Sequence, residues 1–84
     1  MSPLEVATLI QQGLPGSRAS VASEDNVHFE AVVIAASFAG LRAVQRHKRV
    51  YETLGSKMGN EIHALALKVY TPEEYASQAS SPGG

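Results

Sequence analysis

A chain of 84 residues can build one small domain and is too short for two separate cores. Hydrophobic residues make up 44% and charged residues 18%, which is typical of a globular domain and excludes a disordered chain. There is no cysteine, so the chain itself can supply no disulfide, no thiolate metal ligand and no cysteine nucleophile.

The N-terminus and the apolar runs predict where the protein acts. Residues 1–5 lack a basic segment followed by an apolar stretch, and no apolar run is long enough to cross a bilayer. We therefore expect a cytoplasmic protein without membrane contact.

A first helix is predicted from about Pro3 to Gln12, with Ser2 as its N-cap and Gly13 as its end. Two extended segments follow, and the polar run at 24–26 separates them. A short polar link between two extended segments predicts an antiparallel hairpin.

A second, amphipathic helix is predicted to end near Gly55. Apolar residues and one histidine recur in it at spacings of three and four, which predicts a buried stripe and a structural role for its histidine. The predicted stripe consists of Val44, His47, Val50, Tyr51 and Leu54.

The same helix carries most of the positive charge, since five of the seven basic residues lie between positions 42 and 57. Arg42, Arg46 and Arg49, with Lys48 beside them, are expected to line its solvent face. Such a face can bind phosphate, nucleic acid or an acidic partner, and a merely solvated face is equally plausible. The net charge of −1 and the lack of an aromatic platform give nucleic acid little support.

The C-terminal part predicts a third strand at Ile62–Tyr70 and a short last helix. Thr71 is a suitable N-cap for that helix, with Pro72 in its first turn and a capping-box acid after it. We expect one domain over residues 1–76 and a flexible tail over residues 77–84.

The predicted order is α-β-β-α-β-α, in which the second helix forms a crossover between the second and third strands. If those strands are neighbours, they are parallel and begin at the same edge of the sheet. His28 opens one strand and His63 the other, so their imidazoles could approach and begin a metal site. A structural role for each histidine is the alternative.

Catalytic signatures are missing from the sequence. It shows no paired carboxylates at matched spacing, no G-x-S-x-G and no glycine-rich phosphate loop after a strand. We expect no enzymatic activity.

Several short motifs, spread over residues 4–75, resemble those of the BolA family. They are His28-Phe29, Phe38-Ala-Gly40, the R-H-K-R-V-Y run at 46–51, the I-H-A-L run at 62–65 and the Y-T-P-E-E-Y run at 70–75. The short hairpin turn and the last of these runs resemble the IbaG (YrbA) branch.

The resemblance implies a class II KH-like α+β fold, with a three-stranded mixed sheet and its helices on one face. It implies a monomer that forms a heterodimer with a monothiol glutaredoxin and serves iron–sulfur trafficking or the response to iron and stress. The partners share a two-iron, two-sulfur cluster, to which the glutaredoxin and glutathione give sulfur and His63 gives nitrogen. The family's second ligand falls at 24–26, where this chain has Glu, Asp and Asn. Either His28 substitutes for it, or His63 is the one ligand from this chain.

Members of the family are also described as transcriptional regulators. The KH-type G-x-x-G clamp is missing, since the two glycines of Gly55-Ser-Lys-Met-Gly59 are too far apart. A nucleic-acid-binding regulator that uses the basic helix is therefore the alternative function, with weak DNA binding expected.

Overall fold

Three α-helices and a three-stranded sheet form residues 1–79, the part of the chain that the computed structural model describes. The helices are α1 (Pro3–Gly13), α2 (Ala43–Leu54) and α3 (Pro72–Ala79), and the strands are β1 (Arg18–Ala22), β2 (His28–Ile34) and β3 (Ala64–Tyr70). The predicted α-β-β-α-β-α order is confirmed.

The sheet has the strand order β1-β2-β3 and mixes both kinds of pairing. β1 is antiparallel to β2, so the predicted hairpin is confirmed. β2 is parallel to β3, with His28 opposite Ala64 and Phe29 opposite Leu65. The crossover through α2 makes this parallel pairing possible, because parallel strands cannot be joined by a tight turn.

The core lies between one face of the sheet and the helices. β2 alternates, with Phe29, Ala31 and Val33 buried and His28 and Glu30 exposed on the other face. The buried side chains of the helices and loops complete the core: Val6, Ile10, Leu14, Phe38, Val50, Leu54 and Ile62. The opposite face of the sheet therefore has no helix packed on it among residues 1–79.

Two boundaries differ from the sequence-based prediction. β3 begins at Ala64 and not at Ile62, because Ile62 is held in the preceding turn, where its N–H donates to the Lys57 carbonyl at 3.0 Å. α3 continues to Ala79, past the expected domain end at 76. The rest of the predicted tail, residues 80–84, lies outside the described residues.

The inward face of α2 was predicted only in part: Val50 and Leu54 are buried as expected, but three other positions differ. Val44 is 72% exposed and Tyr51 is 37% exposed, whereas Arg46, expected in solvent, is only 9% exposed. His47 is half-buried, and its ring meets Tyr51 edge-on with centroids 6.4 Å apart. The buried face of α2 consists of Arg46, Val50 and Leu54.

Arg46 is buried because its guanidinium has partners on three sides. Nε donates to the Leu41 carbonyl at 2.9 Å, and Nη1 donates to the Val69 carbonyl at 3.3 Å. Nη1 and Nη2 also donate to the two carboxylate oxygens of Glu74, at 2.6 and 3.1 Å. This bidentate ion pair joins α2 to α3 and lowers the pKa of Glu74 to about 2.

Glu74 also completes the predicted cap of α3. It accepts a hydrogen bond from the Thr71 N–H at 2.9 Å, and its own N–H donates to the Thr71 hydroxyl at 3.2 Å. The capping box is thus confirmed, and one carboxylate serves both the cap and the ion pair.

Gly13, the last residue of α1, lies close against Thr53 of α2. A Cβ atom at this position would lie 2.5 Å from Thr53 Cγ2 and 2.7 Å from Thr53 Cβ. We therefore expect Gly13→Ala to destabilise the protein by about 1–3 kcal/mol, since the two helices would have to separate. Urea unfolding measures this, with the neighbouring exposed Gln12→Ala as control. Equal stability of the two variants would contradict the close approach.

Candidate functional site

Two histidines meet at the edge of the sheet where the parallel strands begin. His28 is the first residue of β2, and His63 directly precedes β3. Their ring centroids are 6.2 Å apart, with the ring planes at 74°. The prediction that topology brings these two imidazoles together is confirmed, although His63 lies just before its strand and not within it.

Backbone pairing holds the two histidine segments side by side. The His63 N–H donates to the carbonyl of Val27 at 2.8 Å, and the Ala64 N–H donates to the same carbonyl at 3.3 Å. Both histidines are exposed, and the His28 side chain is 63% accessible. The pair is therefore held by the backbone and open to a partner.

Asp25 forms a hydrogen bond with the ring of His28, and this role was not predicted from the sequence. Its Oδ2 lies 2.7 Å from Nδ1 of His28, and its Oδ1 accepts the N–H groups of Val27 and His28 at 3.0 and 2.9 Å. These hydrogen bonds, with the His28 N–H the largest contributor, hold the pKa of Asp25 well below its ordinary value.

The histidine pair can supply only two of the ligands that a metal ion needs. Two imidazoles that share one tetrahedral ion stand about 5 Å apart between ring centroids, since each metal–nitrogen bond is about 2 Å long. The observed centroid separation of 6.2 Å is longer, so the exposed side chains would have to move closer together to share one ion. Residues 1–79 contain no cluster of three or more His, Cys, Asp or Glu that could hold a metal ion. A metal ion at this pair would need further ligands besides the two imidazoles.

A shallow hollow of about 610 Å³ lies beside His28. Carboxylates from the hairpin loop and from β2 line it, namely Glu24, Asp25 and Glu30. Negative charge at this edge disfavours the approach of a nucleic-acid backbone to the histidines.

The basic side chains of α2 do not form the predicted four-membered face. Arg42, Lys48 and Arg49 are exposed, whereas Arg46 is turned inward to Glu74. The exposed cations are therefore Arg42 at the N-cap of α2 and Lys48 and Arg49 on the helix itself.

The fold and the site define a small α+β domain that presents a pair of histidines at one edge of a mixed sheet. The sequence profile of the BolA family, described as BolA-like protein, matches residues 11–74. The chain belongs to the BolA family.

Similar proteins include bacterial and human members. The chain is 47% identical over 51 residues to the DNA-binding transcriptional regulator BolA of Haemophilus influenzae, an alignment that covers 61% of this chain and 50% of that protein. It is 38% identical over 48 residues to human BolA-like protein 1, covering 57% of this chain and 35% of that protein. The alignments thus span half or less of these relatives' lengths.

Among solved structures, a bolA protein homologue from Coxiella burnetii superimposes with a TM-score of 0.82 at 46% identity. The match covers 90% of this chain and 97% of that one. Within residues 1–79, no helix is both long enough and apolar enough to span a bilayer.

Proposed function

We propose that this protein is a non-enzymatic adaptor that forms a heterodimer with a monothiol glutaredoxin. In that complex His63 and His28 would ligate a shared two-iron, two-sulfur cluster, and the complex would serve iron–sulfur trafficking or the response to iron and stress. The observation that carries this proposal is the exposed histidine pair, with ring centroids 6.2 Å apart.

The chemistry of the chain suits a shared cluster. It has no cysteine, so any thiolate ligands must come from outside this chain, here from the glutaredoxin and glutathione. Two histidine nitrogens on one iron are an established ligand set for a two-iron, two-sulfur centre, as in Rieske proteins. The closeness of His28 to His63 supports His28 as the second ligand in place of the residues at 24–26.

Mixing the apo protein with a cluster-loaded monothiol glutaredoxin tests the proposal. We expect a new visible absorption and circular dichroism spectrum that saturates at one chain of each partner, and coelution of both with the cluster in gel filtration. His47→Ala is the matched control, because this third histidine lies on α2, outside the pair. A glutaredoxin spectrum unchanged by excess protein would overturn the proposal.

Nucleic-acid binding is the second candidate function. Relatives from Haemophilus influenzae, Vibrio cholerae and Escherichia coli are named DNA-binding transcriptional regulators. In this chain the exposed Arg42, Lys48 and Arg49 would supply the phosphate contacts.

For this function we expect weak, non-specific duplex binding that falls steeply with salt. Three phosphate contacts predict a slope of log K against log salt of about −3, since each contributes about −0.9. Replacing Arg42, Lys48 and Arg49 together by Gln should bring binding close to zero. Fluorescence anisotropy over a salt series measures both effects. A sequence-specific complex that survives physiological salt would place regulation ahead of the adaptor function.

A further inference from the structure

Asp25 uses its two carboxylate oxygens for different tasks. Oδ1 accepts the backbone N–H groups of Val27 and His28 and so fixes the direction of the carboxylate. Oδ2 is left facing the imidazole of His28, at 2.7 Å from Nδ1. The carboxylate is therefore aimed at one particular ring nitrogen by the backbone of the loop.

Further hydrogen bonds fix the loop that carries Asp25. The Ser23 hydroxyl donates to the His28 carbonyl at 2.5 Å and accepts the Asn26 N–H at 2.9 Å. Asn26 adopts a positive φ of 61°, a conformation that asparagine tolerates better than most residues. The hydrogen bond between Asp25 and His28 thus belongs to an ordered turn, although both side chains are solvent-accessible.

An ionised carboxylate only accepts hydrogen bonds, so a hydrogen bond to Nδ1 requires a proton on that nitrogen. In the neutral imidazole the lone pair then resides on Nε2, away from the loop. Metal-binding histidines commonly donate their second N–H to a carboxylate in this way, which fixes both the tautomer and the ring orientation.

We infer that Asp25 is a positioning residue, which holds the proton of His28 on Nδ1 and presents Nε2 as the atom that binds iron. This inference rests on the proposed cluster-binding function and assigns to Asp25 a role within that site. It also explains how a chain without the family's loop ligand can use the histidine that opens β2.

Asp25→Asn gives the sharpest test, because it changes the hydrogen bond and leaves the size of the side chain nearly unchanged. The amide oxygen can still accept the two backbone N–H groups, which directs the NH₂ group at Nδ1. An amide NH₂ donates, so it favours a lone pair on Nδ1 and a proton on Nε2. The ligand atom would then be blocked, while the loop keeps its backbone hydrogen bonds.

The first measurement is the tautomer of His28 in the apo protein, from its ring ¹⁵N chemical shifts above the pH at which the ring titrates. We expect Nδ1–H in the wild type and in Glu24→Gln, and Nε2–H in Asp25→Asn. Glu24→Gln is the matched control, because it removes a neighbouring charge from the same hollow and Glu24 makes no hydrogen bond to His28 among residues 1–79. An Nε2–H tautomer in the wild type would overturn the inference.

The second measurement is titration of each protein into cluster-loaded glutaredoxin, followed by visible circular dichroism. We expect Asp25→Asn to weaken assembly by about 10–100-fold, the usual effect of losing such a supporting partner, and Glu24→Gln to match the wild type. Equal assembly of all three proteins would overturn the role of Asp25 and leave the proposed function standing. Failure of the wild type itself to assemble would overturn the proposed function, and the ligand role of His28 with it.

Discussion

Replacing His63 with alanine is expected to abolish the cluster-bridged heterodimer while the domain stays folded. The side chain is exposed and precedes β3, and its ring makes no hydrogen bond among residues 1–79, so truncation opens no core. Removing a direct ligand should weaken assembly by more than the ~10–100-fold expected for a supporting residue. Visible circular dichroism of the mixture with cluster-loaded glutaredoxin gives the measurement, and a thermal melt shows that the variant is folded.

Two comparisons make this expectation specific. His28→Ala should weaken the same complex less than His63→Ala, and His47→Ala should leave it near normal at a temperature where that variant is folded. A cluster spectrum unchanged by His63→Ala would remove His63 from the site. If His28→Ala alone eliminated the complex, the ranking of the two ligands would be reversed.

Arg46→Met is expected to lower the melting temperature by roughly 5–10 °C, the largest fall among substitutions of the α2 cations. Methionine keeps the apolar stem but leaves the Leu41 and Val69 carbonyls and the Glu74 carboxylate without this donor. Arg49→Met is the control, because Arg49 is exposed on the same helix. Equal melting temperatures for the two variants would contradict the anchoring role of Arg46.

The same ion pair predicts how stability depends on pH. In the folded protein the pKa of Glu74 is lowered from 4.5 to about 2, chiefly by the hydrogen bonds from Arg46. The ionised Glu74 carboxylate therefore stabilises the folded protein fully above about pH 4.5, and this stabilisation is lost as the pH falls towards 2. The melting temperature of the wild type should drop more steeply over this interval than that of Glu74→Gln. Parallel profiles would show that the carboxylate charge does not contribute.

The element order could be predicted from local signals alone. Pro and Gly mark the ends of the helices, and the Thr71 capping box marks the start of α3. The crossover rule then gave the parallel pairing and the meeting of His28 with His63, because strand direction follows from connection length. These predictions depend on neighbours in sequence or on general topology, which a single sequence contains.

The burial of Arg46 could not be predicted in the same way. A charged residue is buried only when its partners are in place, and its carboxylate partner, Glu74, lies on a helix 28 residues further along the chain. The apolar stripe through Val44 and Tyr51 fitted the helical period. In the folded protein, however, α2 is oriented with Arg46 inward, and both of those side chains are exposed.

The role of Asp25 was missed for a different reason. An aspartate three residues before a histidine, within a polar turn, is a local signal that could have been noticed. The direction of its second oxygen depends on the positive φ of Asn26 and on the two backbone hydrogen bonds to the first oxygen. Those details appear only in three dimensions.

Bonding between nitrogen atoms of this chain and iron of the shared cluster can be measured directly. The complex is assembled from ¹⁵N-labelled protein and unlabelled glutaredoxin and glutathione, the cluster is reduced to its paramagnetic state, and hyperfine couplings are recorded by pulsed electron paramagnetic resonance. We predict strong ¹⁵N couplings from directly bound imidazole, diminished both by His28→Ala and in any residual complex formed by His63→Ala. A reduced cluster in the wild-type complex without such ¹⁵N couplings would contradict the account.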